Sequence, residues 1–121
     1  MTTTTQLQQS DLSQFTGTLN YYRHWLRLTY TDGIQYLAEK GGAYWLIDAI
    51  ASHQPKALKD PMLQEIQFWK LKVNADQTPQ LICERDTGDV FLTQDIGFTD
   101  FSLDEIKLYL VGGVLMLPSE Y

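Results

Sequence analysis

Cysteine occurs once in this sequence, at Cys83. No intramolecular disulfide can form and no cysteine-based zinc knuckle can be assembled, which suits a reducing compartment, so a cytoplasmic location is expected. Basic residues are few as well: nine Lys and Arg, never in a run. Binding to a phosphate backbone calls for clustered cations, so nucleic-acid binding is disfavoured. Long apolar stretches are missing, since the longest, Leu110 to Leu117, is eight residues even with its two glycines counted. A membrane-spanning helix needs about 18 or more. Met1 to Ser10 holds neither a basic residue nor an apolar stretch, so it does not read as a signal peptide, and no membrane association is expected.

Catalytic signatures are missing too. The chain contains no G-x-S-x-G, no G-x-x-x-x-G-K and no G-x-G-x-x-G. His24 and His53 lack the His-x-x-x-His spacing of a metal site, and the acidic residues do not follow a calcium loop. No catalytic residue, metal or cofactor is assigned, and the balance leans away from an enzyme.

What is present is ordinary globular material. The 121 residues are 44% hydrophobic and 20% charged, enough to bury a core, and one domain spanning residues 1–121 is expected, with residues 1–9 fraying. The net charge of −6 is unevenly placed: seven basic and six acidic residues run through Asn74, but two basic and nine acidic follow from Ala75. A basic protein partner or a cation is the natural complement of that acidic half, and a solvated surface is its plain structural reading.

Tyr21 to Tyr30 mixes aromatic, β-branched and basic residues as a half-exposed strand does. Asp32 followed by Gln35 resembles a capping box for a helix beginning at Gly33. Gly41 and Gly42 interrupt the apolar spacing before Trp45, Leu46, Ala49 and Ile50 resume it, so two helices or one strongly kinked helix are expected, closed by Pro55. Asp60 and Pro61 mark the start of a short helix. Phe68 to Val73, Leu81 to Arg85 and Val90 to Ile96 read as three sequential antiparallel strands, the last two joined through Asp86, Thr87, Gly88 and Asp89. Ser102 with Glu105 forms a capping box and Phe101 with Ile106 a hydrophobic staple, which predict a helix from Leu103 to about Val111 ended by Gly112 and Gly113. Val114 to Leu117 follows as a last strand. The expected class is therefore α+β, with early helices packed on an antiparallel sheet of about four strands and one late helix before the last strand.

Tyr21, Tyr22, Arg23, His24 and Trp25 form the most unusual stretch. With Tyr30, Tyr36, Tyr44 and Trp45 it gathers seven of the fifteen aromatic residues. Rings to stack on, Arg23 to meet an anion and His24 to exchange a proton would suit a planar ligand, and Tyr22, Arg23, His24, Trp25, Tyr44 and Asp48 are the candidate ligand-binding residues. A packed aromatic layer between helix and sheet is the competing structural account. Asp48 lies five positions before His53, so the two do not share a helix face as an acid and base pair would. Cys83 sits beside carboxylates that would raise its thiol pKa, which makes it a poor nucleophile.

The segment YTDGIQYLAEKGGAYWLIDAIASHQ (Tyr30 to Gln54), with FTGT at Phe15 to Thr18 and the terminal LPSEY at Leu117 to Tyr121, resembles a family of small uncharacterised bacterial proteins. The resemblance runs over nearly the whole chain and implies a compact stand-alone domain, with no activity, ligand or site residues to carry over. A soluble, non-catalytic protein-interaction or regulatory domain is the leading expectation. A small-molecule-binding domain or enzyme built on the cluster at residues 21–25 is the alternative.

Overall fold

Alternation of buried and exposed side chains organises most of the chain. The computed structural model describes residues 12, 14–15, 20–23, 28–73, 78–97 and 104–121. The expected fraying of residues 1–9, His24 and Trp25 of the aromatic cluster, and Phe101 and Ser102 of the staple and capping box lie outside the described residues.

Among the described residues seven strands form one sheet. They are β1 (Tyr21–Arg23), β2 (Thr29–Thr31), β3 (Ile66–Val73), β4 (Pro79–Asp86), β5 (Asp89–Asp95), β6 (Glu105–Val111) and β7 (Val114–Met116). Their order across the sheet is β1-β2-β7-β6-β3-β4-β5. Every neighbouring pair is antiparallel except β2 and β7, which run parallel with Thr29 opposite Val114 and Tyr30 opposite Leu115. The expectation of about four antiparallel strands under early helices is thus corrected to a seven-stranded mixed sheet in which strand outweighs helix. Parallel pairing of β2 with β7 joins an early strand to the last one, a contact that no local pattern announces.

The late helix is the second correction. Residues 105–111 are strand β6, with Ile106, Leu108 and Leu110 buried and Lys107 exposed between the first two. That two-residue period matches β3, where Leu71, Trp69 and Gln67 lie opposite Ile106, Leu108 and Leu110. Filling one face of the sheet core outweighs the capping pattern upstream, because each fully buried Leu contributes about 1.5–3 kcal/mol and a cap only about 1. Gly112 and Gly113 do not end a helix. Their φ angles of 55° and 83° are the two positive values that a two-residue hairpin of type I′ requires, and they turn β6 into β7.

Helices α1 (Asp32–Gly41), α2 (Tyr44–Ser52) and the single turn α3 (Gln54–Ala57) cover one face of the sheet. Thr31, one residue earlier than the expected Asp32, caps α1 by accepting from the Ile34 N–H, and Gly42 ends the helix in the left-handed region at φ 62°. Ile34, Leu37, Leu46, Ile47 and Ile50 face inward, spaced as an amphipathic stripe requires, and join Trp69, Leu71, Leu81, Leu108 and Leu115 in one core. The short helix expected at Pro61 is a 3-10 turn, Pro61–Leu63, in which Asp60 accepts from the Met62 N–H.

Strand β3 shows what this layering does to the sheet. Gln67, Trp69, Leu71 and Val73 point into the core, whereas Ile66, Phe68, Lys70 and Lys72 stand on the opposite face. Among the described residues no helix lies over that second face.

Candidate functional site

Three places gather chemistry-bearing side chains. The first is the aromatic cluster read from the sequence. Tyr22 stacks on Tyr30, with ring centroids 5.5 Å apart, and its hydroxyl donates to Asp32 Oδ1 at 3.2 Å. The Asn20 N–H donates to the other carboxylate oxygen at 3.0 Å. Burial, and then the Asp32 carboxylate, push the Tyr22 phenol above its ordinary pKa, and burial followed by nearby Tyr44 does the same to Tyr30. Tyr44 and Asp48 are both exposed and one turn apart on α2. Arg23 is exposed at the end of β1, and strand alternation sets it on the face opposite to Tyr22. His24 and Trp25 fall outside the described residues. The structure therefore brings Tyr22, Tyr30, Tyr44 and Asp32 together and directs Arg23 away from them.

The second place is the start of α1, where the two ends of the chain meet. The Glu120 carboxylate accepts from the Thr31 hydroxyl at 2.6 Å, from the Leu117 N–H at 3.0 Å and from the Gly33 N–H at 3.2 Å. A carboxylate there satisfies a free helix N–H and opposes the positive end of the helix dipole. Gly33 leaves room for it, since a Cβ on Gly33 would collide with Glu120 and approach Leu117 Cδ1 to 2.7 Å. These bonds are internal and complete, which marks the site as structural.

The titratable groups that reach catalysis most often are held in quiet settings. Cys83 is fully buried in β4, and burial first, then Glu84 and Asp60, push its thiol up to about 12 against the opposing pull of Arg85. His53 Nε2 lies 2.6 Å from Gln94 Oε1, and the ring stacks on Trp69 at 5.9 Å, so its Nε2 partner is a neutral amide and not a carboxylate. Ser52 Oγ donates to the Ala49 carbonyl. Among the described residues no three His, Cys, Asp or Glu side chains stand close enough to hold a metal ion. No helix among them is long and apolar enough to cross a membrane.

Three acidic residues of the second half are held at the β4–β5 turn. Glu84 accepts from the Gly88 N–H, Asp86 from the Thr87 N–H, and Asp89 pairs with Arg85 at 3.1 Å. Arg85 also donates to Asp60 at 2.6 Å, and that bond, with the Met62 N–H, holds the Asp60 carboxyl below the usual carboxylate range.

The third place is the open face of the sheet. Phe68 on β3 lies opposite Tyr109 on β6, and the rings meet edge to face with centroids 5.2 Å apart. Tyr121 closes on Tyr109 in the same manner at 5.5 Å while remaining exposed. Ile66, Val111, Val114 and Met116 extend this file as half-buried neighbours. One step along the same two strands Lys70 lies directly opposite Lys107, and among the described residues neither has an ion-pair partner. Sequence reading missed this surface because Tyr109 was assigned to a helix. The signal that reveals it is the alternation of Ile106, Leu108 and Leu110 with Lys107 and Tyr109.

Fold and surfaces together define a small mixed-sheet domain with helices on one face, an aromatic and lysine surface on the other, and no catalytic constellation among the described residues. The chain belongs to the family of unknown function DUF6876, whose model matches residues 6–121. No curated protein and no solved structure matches it.

Proposed function

We propose that this protein is a non-catalytic interaction domain that docks a partner protein on the open face of its sheet. The observation that carries the proposal is the juxtaposition of the Phe68, Tyr109 and Tyr121 file with the unpaired, in-register Lys70 and Lys107. Like charges placed directly opposite across two strands are destabilising, so the pair is a cost that an arriving carboxylate would relieve. Aromatic side chains supply the large apolar anchors on which interfaces depend. The partner is accordingly a segment that sets an apolar side chain on the aromatic file and Asp or Glu over the lysines. A bacterial cytoplasm is the proposed setting, supported by the lone cysteine being a buried free thiol.

The test is selection of displayed random peptides against the wild-type protein, followed by binding measurements on the winners. Peptides pairing an acidic residue with an aromatic or aliphatic one are expected, with affinity that falls as salt is raised and collapses in Lys70→Glu/Lys107→Glu at an unchanged melting temperature. Winners that bind the charge-reversed variant as well as wild type, or that carry no acidic residue, would overturn the proposal.

A further inference from the structure

A cavity of about 320 Å³ opens where the end of α2 and the α3 turn meet the sheet. It lies on the helical side, away from the aromatic and lysine surface, and the interaction proposed above does not use it. Leu28, Ala51, Leu63 and Leu110 form its walls, and Pro55 and Leu58 stand at the mouth. Leu58 is 47% exposed, a large apolar side chain facing water at the rim. Among the described residues no charged one lines the cavity.

Its polar side chains are three glutamines: Gln64, exposed at the mouth, donates one amide proton to the Leu58 carbonyl at 3.1 Å, while Gln54 is half-buried and Gln67 buried. Gln67 is 1% exposed. Its amide donates to Gln54 Oε1 at 2.8 Å and to the Leu63 carbonyl at 3.1 Å, and its oxygen accepts from Gln54 Nε2 at 2.9 Å and from Trp69 Nε1 at 2.8 Å. Indole N–H groups only donate and carbonyls only accept, so these neighbours fix which end of Gln67 is oxygen. Gln54 spends its remaining proton on the Ile50 carbonyl at 3.1 Å. Every donor on both amides is engaged. Between these two amides the spare capacity is one acceptor site, the second lone pair of Gln54 Oε1, while exposed Gln64 keeps one amide proton at the mouth.

We infer that this cavity is a binding site for a small, neutral, predominantly apolar molecule whose inward end carries at most one hydrogen-bond donor. Among the described residues an anion would find no cation, and the one free amide proton, on Gln64, stands at the exposed mouth. A cation would lose its hydration and find no carboxylate in return, a cost that a neutral ligand escapes. The size bounds the ligand as well. An apolar protein cavity of about 150 Å³ takes up benzene, so one of twice that volume suits a fused two-ring or short-chain molecule, at the lower end of the range of ligand pockets. Burying Leu58 at the rim adds the apolar contact that the unliganded surface lacks.

Indole is the neutral probe with one donor, N-methylindole lacks the donor, and indole-3-acetate is the anionic counterpart. Titration of the full chain is followed by calorimetry and by two-dimensional amide NMR. Indole is expected to bind with one-to-one stoichiometry and to shift the side-chain amides of Gln54 and Gln67 and the backbone amide of Leu110. N-methylindole should bind more weakly, and indole-3-acetate should produce no comparable shifts. Ala51→Leu, which fills the cavity, should abolish uptake. Leu58→Glu alters an exposed side chain and so keeps the fold independently of Ala51→Leu, and it should weaken indole at least about tenfold, the usual loss when a pocket loses apolar contact. Failure of wild type to take up indole, equal binding of indole-3-acetate, or undiminished binding in Leu58→Glu would each overturn the inference.

Discussion

Removing the Glu120 carboxylate should unlock the C-terminal turn from the start of α1, and the size of the effect follows from the bonds it accepts. Three donors, the Thr31 hydroxyl and the N–H groups of Gly33 and Leu117, converge on two oxygens. A hydrogen bond to a charged group contributes about 1.5–3 kcal/mol, and three that share one half-buried carboxylate do not add, so Glu120→Ala should cost about 3 kcal/mol. Glu120→Gln should not be a gentle substitute. Oε1 serves Thr31 and Leu117 while Oε2 serves Gly33, so an amide nitrogen at the second position faces the Gly33 N–H donor to donor, leaving a loss of about 1–3 kcal/mol.

Gly33→Ala provides an independent check on the same contact. Alanine favours a helix over glycine by about 1 kcal/mol, yet crowding here costs about 1–3 kcal/mol, because the new Cβ meets a carboxylate pinned by its own bonds. The single change should therefore be destabilising. In the Glu120→Ala background the pinned neighbour is gone, and the remaining close atom, Leu117 Cδ1, belongs to a side chain that can turn aside. Gly33→Ala should then be neutral or stabilising, a coupling of at least about 1 kcal/mol in the double-mutant cycle. Urea unfolding followed by tryptophan fluorescence, with a common slope across the four proteins, measures it. Effects of Gly33→Ala that are the same in both backgrounds to within about 0.5 kcal/mol would refute the reasoning.

Cys83 should resist thiol reagents at pH 8 in the folded protein and react at once in urea, and rapid native labelling would contradict its burial. Its folded pKa of about 12 lies above the ordinary value of 9.0, so its contribution to stability is full below pH 9 and declines as pH rises toward 12, a fall that Cys83→Ala should lessen. Asp60 has the opposite sign: its lowered pKa gives stability present above the unfolded value and lost as pH falls through the folded one, so Asp60→Asn should flatten the acid limb below about pH 4. Along β6, Leu108→Ala should cost about 2–5 kcal/mol and Lys107→Ala within about 0.5 kcal/mol, by chemical denaturation; equal costs would speak against the strand.

Local grammar made much of the fold legible. Gly42, Asp60 with Pro61, Gly88 in its hairpin and the alternation through β3 each fix a backbone geometry within a few residues, and each was readable for that reason. Ser102 with Glu105 is equally local, and there local grammar misled. Its helix signal competes with the register of Ile106, Leu108 and Leu110 against Leu71, Trp69 and Gln67, which exists only once β3 is in place. Paired glycines carry the same ambiguity: Gly112 and Gly113 suit a helix end as well as a type I′ turn, and only the strand on each side decides.

The candidate sites divide along the same line. Thr31, Asp32 and Gly33 lie in one segment that carries the family resemblance and Glu120 in another, and the structure joins them into bonds that hold the C-terminal turn to α1. Asp32 spends its carboxylate on Tyr22 and Asn20 in the same neighbourhood. Tyr22, among the candidate ligand-binding residues, thus has structural employment. Phe68 and Tyr109, by contrast, stand in separate strands with nothing between them in sequence to relate them, and neither contributes to the buried core. A surface file of rings beside two lysines with no ion-pair partner among the described residues, and a cavity whose two inner glutamines have no donor left to give, have no such structural account, which is why binding is sought there.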